Sequence, residues 1–284
     1  METDIGNVSD TSLWVAYYRA KESERPDALF KDPYAKILAG EKGARIADQM
    51  QVVGRYTEWS VVIRTVIIDQ FIREMIADGV DTVINLGAGL DSRPYRMNLP
   101  ANLRWVEVDY PNIIARKSRL LQNEQPTCQL FRIEADLAND EQRRKLLFEV
   151  AGQAGKALVI TEGVVPYLSD EQVTKLAEDI HASLQFKYWI TEFFDAAVYK
   201  YLKGSLRTQQ MKNAPFRFYP ADWLGFFTRR GWTKKDLKYI GVETVRVGRP
   251  IPMPWWAKIF TLIPNNPGIE RSKRMTGYVL FERV

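Results

Sequence analysis

Asp81-Thr-Val-Ile-Asn-Leu-Gly-Ala-Gly-Leu-Asp-Ser-Arg93 is the stretch on which the reading of this chain turns. Thr82 to Leu86 is a short apolar run with β-branched residues, bounded by turn formers, and reads as a buried strand. Gly87 and Gly89 follow at once, with Ala88 between them. A strand that ends in Gly-x-Gly lets the backbone and its N–H groups come close to a ligand, because no Cβ stands in the way. Asp91 and Ser92 then offer side-chain oxygens to whatever sits above. The turn alone fits a nucleotide-type site and an ordinary tight turn equally, so its flanks decide between them.

The totals narrow the classes. A chain of 284 residues, 46% apolar and 26% charged, has ample material for one large α/β domain. The net charge of +5 is spread among interleaved acids, which predicts a mildly basic surface and no nucleic-acid partner. One cysteine, Cys128, excludes an intrachain disulfide and a thiolate zinc cluster. One histidine, His181, excludes any His-rich metal site, so no metal is expected. The opening Met-Glu-Thr-Asp-Ile-Gly lacks an apolar core, so no signal peptide is expected. Trp255 to Ile263 is broken by Lys258 and is too short to span a bilayer. A cytoplasmic protein without a membrane partner is the expectation.

Upstream of the stretch, Thr11 to Ala20 predicts a helix with a hydroxyl cap, and Lys36 to Met50 a second one weakened by Gly40 and Gly43. Together they suggest a helical cap over the main domain. From Thr57 to Ala77 apolar residues recur at Ile63, Ile67, Phe71 and Met75, an amphipathic stripe. Arg64 sits in its early turns. It either pairs with Glu58 or Asp69 at the surface or holds a ligand carboxylate with its planar fork.

Downstream, Arg93 to Arg96 makes a short helix or loop, and Leu103 to Asp109 a second strand. Asp109 lies about 20 residues past the glycines, the spacing at which an acid grips ribose hydroxyls. It is also placed to cap the helix from Pro111 to Asn123. Cys128 to Ala135 alternates as a third strand and ends in Asp136-Leu137. That pair suits an adenine amine and face, or Asp136 simply starts the helix Asp140 to Gly152. Lys156 to Thr161 is a fourth strand, ending in Glu162 and followed by Tyr167 and a Ser169 cap on the helix Asp170 to Leu184. Glu162 and Tyr167 therefore stand where ligands gather in an open parallel sheet. His181 lies far from any strand end and reads as a packing or surface residue.

Phe186 to Phe194 is a fifth strand, with Asp195 at its end. Tyr199 to Asn213 predicts an inserted basic helix, Tyr219 to Arg229 another, and Trp232 to Val247 strand material. Residues 248 to 268 are rich in Pro and Trp. Met253, Trp255, Trp256 and Phe260 there line the core or form a movable lid. Met275 to Arg283 is a last strand. The alternation of strands and helices argues for one doubly wound α/β domain.

A nicotinamide enzyme would want a third glycine near the position Asp91 occupies, and a carboxylate there repels a diphosphate. The amino and sulfonium groups of S-adenosylmethionine would be favoured instead. No P-loop sequence is present.

Taken together, Ser12-Leu-Trp14, Asp32-Pro-Tyr-Ala35, Asn85 to Arg93, Glu107-Val-Asp109, Ala135-Asp-Leu137 and Thr161 to Leu168 resemble the leucine carboxyl methyltransferase family. Within it the chain is most similar to the bacterial branch with polyketide carboxyl O-methyltransferases, from about Thr11 to Leu184. The resemblance implies a Rossmann-like class I methyltransferase domain: a mostly parallel seven-stranded sheet with an antiparallel last strand. Residues 1–55 would be an N-terminal helical cap, 56–195 the cofactor-binding core and 196–284 substrate-side insertions and last strands. It implies S-adenosylmethionine as cofactor, with Arg64 on its methionine carboxylate. Gly87, Ala88, Gly89 and Asp91 would lie in the turn under its methionine part, Asp109 on the ribose, Asp136 and Leu137 on adenine, and Glu162 near the amino group. Tyr167 would stand on the acceptor side, and Arg19 loosely matches a basic residue of the first helix. Beyond Asp195 the chain departs from the family's protein phosphatase methylators, which argues against a protein C-terminus as substrate.

The expected reaction is in-line methyl transfer to an oxygen of a small apolar or aromatic molecule. A carboxylate acceptor, already ionised at neutral pH, needs orientation more than a base; a phenol would gain from one. A non-catalytic S-adenosylmethionine-binding protein is the other expectation. Trp14, Tyr17, Tyr18, Trp255 and Trp256 are candidates to line the acceptor pocket.

Overall fold

Seven strands pair in the order β3-β2-β1-β4-β5-β7-β6 in the computed structural model, which describes residues 10–49, 51–204, 212–252 and 266–284 (over 51–55 the backbone only). They are β1 (Thr82–Leu86), β2 (Arg104–Asp109), β3 (Gln129–Glu134), β4 (Ala157–Thr161), β5 (Phe186–Phe194), β6 (Trp232–Tyr239) and β7 (Thr276–Arg283). The β3-β2-β1-β4-β5 pairs are parallel, and β7 runs antiparallel to both of its neighbours. Every residue of β1 and β4 is buried. Strands covered on both faces read as unbroken apolar runs, which is why these two stood out in the sequence. Edge strand β3 instead alternates between exposed and partly buried positions.

The sheet is the middle of three layers. On one face lies α3 (Gln51–Ala77), whose Ile63, Ile67, Phe71 and Met75 pack on Val83, Trp105, Leu158, Ile160, Ile190 and Leu280. On the other lie α6 (Asp140–Ala151), α7 (Asp170–His181) and the helix Trp223–Thr228, whose Leu146, Leu176 and Phe227 meet Ile84, Val106, Val159, Trp189 and Phe281. The helices α1 (Thr11–Ser23) and α2 (Ala35–Gln49) pack on each other and cover the loop after β1 through Leu13, Trp14, Leu38, Leu90 and Tyr95. Among the described residues no helix is long and apolar enough to cross a membrane.

Several local expectations are corrected. The residue before α1 is Asp10 in place of the predicted hydroxyl residue, and its side chain makes no capping bond. Gly40 does more than weaken α2: its φ of 59° and ψ of −171° break the helix there. Asn139, whose oxygen accepts from the N–H groups of Glu141 and Gln142, starts α6 in place of Asp136. The stretch Trp232 to Val247 is a strand to Tyr239 and then a helix, Ile240–Arg246. Of the predicted Tyr199 to Asn213 helix, four residues, Tyr199–Leu202, are helical, and 205–211 lie outside the described residues. Met253, Trp255, Trp256 and Phe260 also lie outside them. Ser169 makes the full capping box with Gln172 that its position predicts.

Candidate functional site

The sheet order reverses between β1 and β4, so their C-terminal ends open a crevice with no strand connection crossing it. Gly87 and Gly89 lie there with φ of 69° and 47°. A Cβ on Gly87 would fall 2.4 Å from a methyl of Val164. The turn's N–H groups, however, are spent inside the protein. Gly87 and Ala88 donate to the carbonyl of Val108 at 2.8 and 3.0 Å, and Gly89 donates to Asp109 at 2.7 Å. The turn therefore offers close approach, not the row of donors that the sequence reading assigned it. A phosphate cradle needs those donors.

Asp109 binds the turn through one oxygen and the N–H of Tyr110 through the other, at 2.7 Å. It does not cap the following helix α5 (Pro111–Leu120), whose N-cap is Tyr110. Burial pushes its carboxyl up, against the two N–H donors and Lys117. Glu107, two residues earlier, faces inward and pairs with Lys117 at 2.6 Å and Arg132 at 3.0 Å, so it takes no ligand role. Asp136 accepts from Ala138 and sits at the rim, whereas Leu137 and Ala138 line the crevice wall. Tyr110, which the sequence does not single out, lines the crevice as well.

A run of buried charges links the cap to the strand ends. Arg19 donates to Asp32 at 2.8 Å and to the carbonyl of Leu90 at 2.6 Å, and Ser92 donates to the same Asp32 oxygen. Arg93 and Arg96, at the two ends of the short helix α4 (Arg93–Arg96), both bind Asp69, and Arg93 reaches on to Asp91 and Glu162, each at 2.8 Å. Glu162 ends the run on Arg64, at 2.9 Å. Arg64 thus takes neither partner that the sequence offered: Glu58 pairs with Lys21, and Asp69 with Arg93 and Arg96. Arg64 meets Glu162 through Nε as an ion pair, in a geometry that makes no hydrogen bond. Burial pushes the Glu162 carboxyl up, but Arg93 and Arg64 outweigh it and hold it below the usual glutamate range. Asp91 is likewise held low by Arg93 and donates nothing to a ligand's charge balance by itself, because that guanidinium neutralises it. The lone-acid reading of Asp91 is corrected accordingly.

Glu192 was not singled out by the sequence. It is 4% exposed in β5, its oxygens accept from the N–H of Gly163 and, at 3.1 Å, from the hydroxyl of Thr191. Strand alternation puts Glu162, Glu192 and Tyr278 on the α3 face of the sheet, with Glu192 directly opposite Tyr278 in the β5–β7 register. Its only signal in the sequence is an acid near the end of a strand whose other residues, Lys187 and Thr191 apart, are aromatic or apolar.

These groups line one cavity of about 1170 Å³ that runs over the ends of β2, β1, β4, β5 and β7. That exceeds the roughly 300–1,000 Å³ of a pocket for one small ligand. Trp14, Trp59, Tyr167, Phe194 and Phe216 are among its walls, with Tyr167 edge-on to Phe216 at 5.0 Å and Phe194 beside the same ring. Tyr17 and Tyr18 do not line it, since they pack toward Ala47 and Val61 behind α1. His181 stacks edge-on against Trp232 on the opposite face, away from the cavity.

The model of the leucine carboxyl methyltransferase family matches residues 12–181. A protein of Streptomyces avermitilis described as a "putative S-adenosyl-L-methionine-dependent methyltransferase" is 30% identical, over 86% of this chain and 89% of its own length. One from a Parafrankia strain, described in the same words, is 32% identical over 63% of this chain, which spans 60% of that relative. Among solved structures, a DUF574 family protein of Streptomyces avermitilis superposes with a TM-score of 0.56 at 12% identity, covering 95% of this chain and 97% of the other. A "putative methyltransferase" of Thermobifida fusca gives 0.53 at 14% identity, with 94% of each chain covered. At such identities the two structures speak to the fold alone.

Proposed function

Because the chain belongs to the leucine carboxyl methyltransferase family, we propose that it is an S-adenosylmethionine-dependent O-methyltransferase whose acceptor is the carboxylate of a small apolar or aromatic acid. The observation that carries the reading is the order of polar groups along the top of the sheet. Asp109 stands at β2, the Gly87 turn at β1, Glu162 and Arg64 at β4, and an aromatic-walled space beyond β5. Strands lie about 4.8 Å apart, so β2 to β5 spans about 14 Å, which suits an extended nucleoside with an amino-acid tail and leaves room past its reactive end.

The donor set fits that cofactor. Asp109 takes the ribose hydroxyls, and Tyr110 and Leu137 flank the adenine, with Asp136 at its edge. The guanidinium of Arg64, paired with Glu162 through Nε, takes the methionine carboxylate on its other nitrogens, and Glu162 takes the amino group. Gly87, Ala88 and Gly89 let the chain come near the turn, while Asp91 with Arg93 keeps Asn85 and Glu162 in place. When bound, S-adenosylmethionine supplies an electrophilic methyl group on a sulfonium. The protein's own work is to align the acceptor oxygen behind that methyl and to exclude water, with Tyr167 and the neighbouring rings holding the acceptor's apolar body.

Titration calorimetry with S-adenosylmethionine tests this. Asp109→Ala is expected to weaken binding more than about tenfold, since a hydrogen bond to a charged group contributes about 1.5–3 kcal/mol. Unchanged affinity would remove Asp109 from the ribose site. With an aromatic-acid panel the product is expected to be a base-labile methyl ester. An alkali-stable ether would point to a phenolic oxygen, and binding without transfer to a sensor.

A further inference from the structure

Six acids are buried among the described residues: Glu22, Asp32, Asp69, Asp91, Glu107 and Glu192. The first five each lie within ion-pair distance of an arginine or lysine. Glu192 alone has no such partner, and with Asp91 it is one of the two among the six that line the cavity. A buried carboxylate without a counter-ion is costly, and a chain that has paired five others has left this one for a reason the fold does not supply.

We propose that Glu192 is the acceptor-side specificity residue, which in its neutral form donates a hydrogen bond to the carboxylate of the methyl acceptor. The inference rests on the methyltransferase reading above and names the chemistry of its second substrate. Burial pushes the Glu192 carboxyl up to about 7, against the N–H of Gly163 and the charge of Arg64, with Glu162 adding to the rise. The groups facing it are Arg64 from α3, Glu162 from β4 and Tyr278 from β7. Burial drives the Tyr278 hydroxyl far above the usual range, so it stays neutral. A second carboxylate entering beside Glu192 raises it further, because two such groups at contact share one proton.

The charge count agrees. Asp69, Asp91 and Glu162 face Arg64, Arg93 and Arg96, and these cancel. The cofactor brings one net positive charge and an acceptor carboxylate one negative, so the reacting pair leaves no cation over for an ionised Glu192. Transfer then balances without acid or base. One carboxylate oxygen forms the new C–O bond, the S–C bond breaks with its electron pair going to sulfur, and no proton is released. Glu192 binds the other oxygen and keeps its proton throughout. Glu162 cannot take this part, since both of its oxygens are held by guanidinium groups.

The test titrates 1-naphthoate into the protein saturated with S-adenosylhomocysteine, at pH 8, in two buffers of different ionisation enthalpy. Saturation is verified first, and a failure there would fall on the methyltransferase reading and not on Glu192. The wild type is expected to take up close to one proton per naphthoate bound, and Glu192→Gln, which keeps a donor of the same shape, none. In turnover with an acid that is methylated, kcat/KM is expected to be flat below about pH 7 and to fall up to about tenfold per unit above it. Glu192→Gln should retain activity and lose that fall. Binding without proton uptake, failure of naphthoate to bind at millimolar concentration, or uptake that persists in Glu192→Gln each overturns the proposal. So does a kcat/KM that rises through pH 7 and collapses in Glu192→Gln, which would make Glu192 the base for a hydroxyl acceptor.

Discussion

Arg93 shows how much one side chain can organise. It is 2% exposed and bridges Asp69 from α3, Asp91 from the turn after β1 and Glu162 from the end of β4. Removing one partner of a buried ion pair typically costs about 3–5 kcal/mol. Arg93→Met is therefore expected to lower the melting temperature by roughly 6 °C or more. Arg93→Lys should recover little, because a single ammonium cannot span three carboxylates in the way a planar fork does. Calorimetric melting of the two variants checks this, and a loss within about 0.5 kcal/mol, the range of a surface change, would mean that the bridge is not as described. In the sequence Arg93 was a residue at the end of a motif and nothing more. Asp91 was read without the cation that neutralises it, and Glu192 was not read at all. Each has its character set by neighbours distant along the chain, which spacing cannot supply.

Elements were more legible than residues. The fully buried strands stood out because a covered parallel strand is apolar at every position, and their ends were marked by Gly, Asp or Glu. Helix starts were harder. Asp10, Asn139 and the kink at Gly40 depend on backbone angles that many sequences share. The turn after β1 suggests both clearance and free N–H donors; its glycines serve the first, and its N–H groups face inward. That distinction predicts an asymmetry. Gly87→Ala puts a Cβ on the Val164 side chain in a left-handed conformation, which by itself costs about 1–2 kcal/mol. At Gly89 the added Cβ would lie 3.2 Å from that of Ser12, so the backbone strain is shared but the collision is mild. Gly87→Ala should lose more of both stability and S-adenosylmethionine affinity than Gly89→Ala, as melting and calorimetry would report. Equal losses would show that backbone conformation, and not clearance at Val164, sets the requirement.

At the scale of the molecule, remote parts of the chain are tied at the site. Arg249 grips Glu22 at 2.6 Å and Asp27 at 2.7 Å, and Trp59 donates to Thr244 at 2.7 Å, so the segment after β6 is fastened to the cap and to α3. The sheet closes in a similar way, because β7 lies between β5 and β6 and is the only described partner of β6. A chain ending at Lys273 is expected to show no cooperative melting transition. A cooperative transition at the full-length temperature would show that β7 is dispensable. For a polypeptide made from its N-terminus onward, this order has a temporal meaning. The lengthwise edge of β5 stays open while β6 is being made, and β6 itself has nothing to pair with until residues 276–283 emerge. Throughout that interval Trp189 and Phe193 sit on a strand paired with β4 along one edge and bare along the other, the kind of edge on which nascent chains stick to one another, and β7 is the strand that ends the exposure.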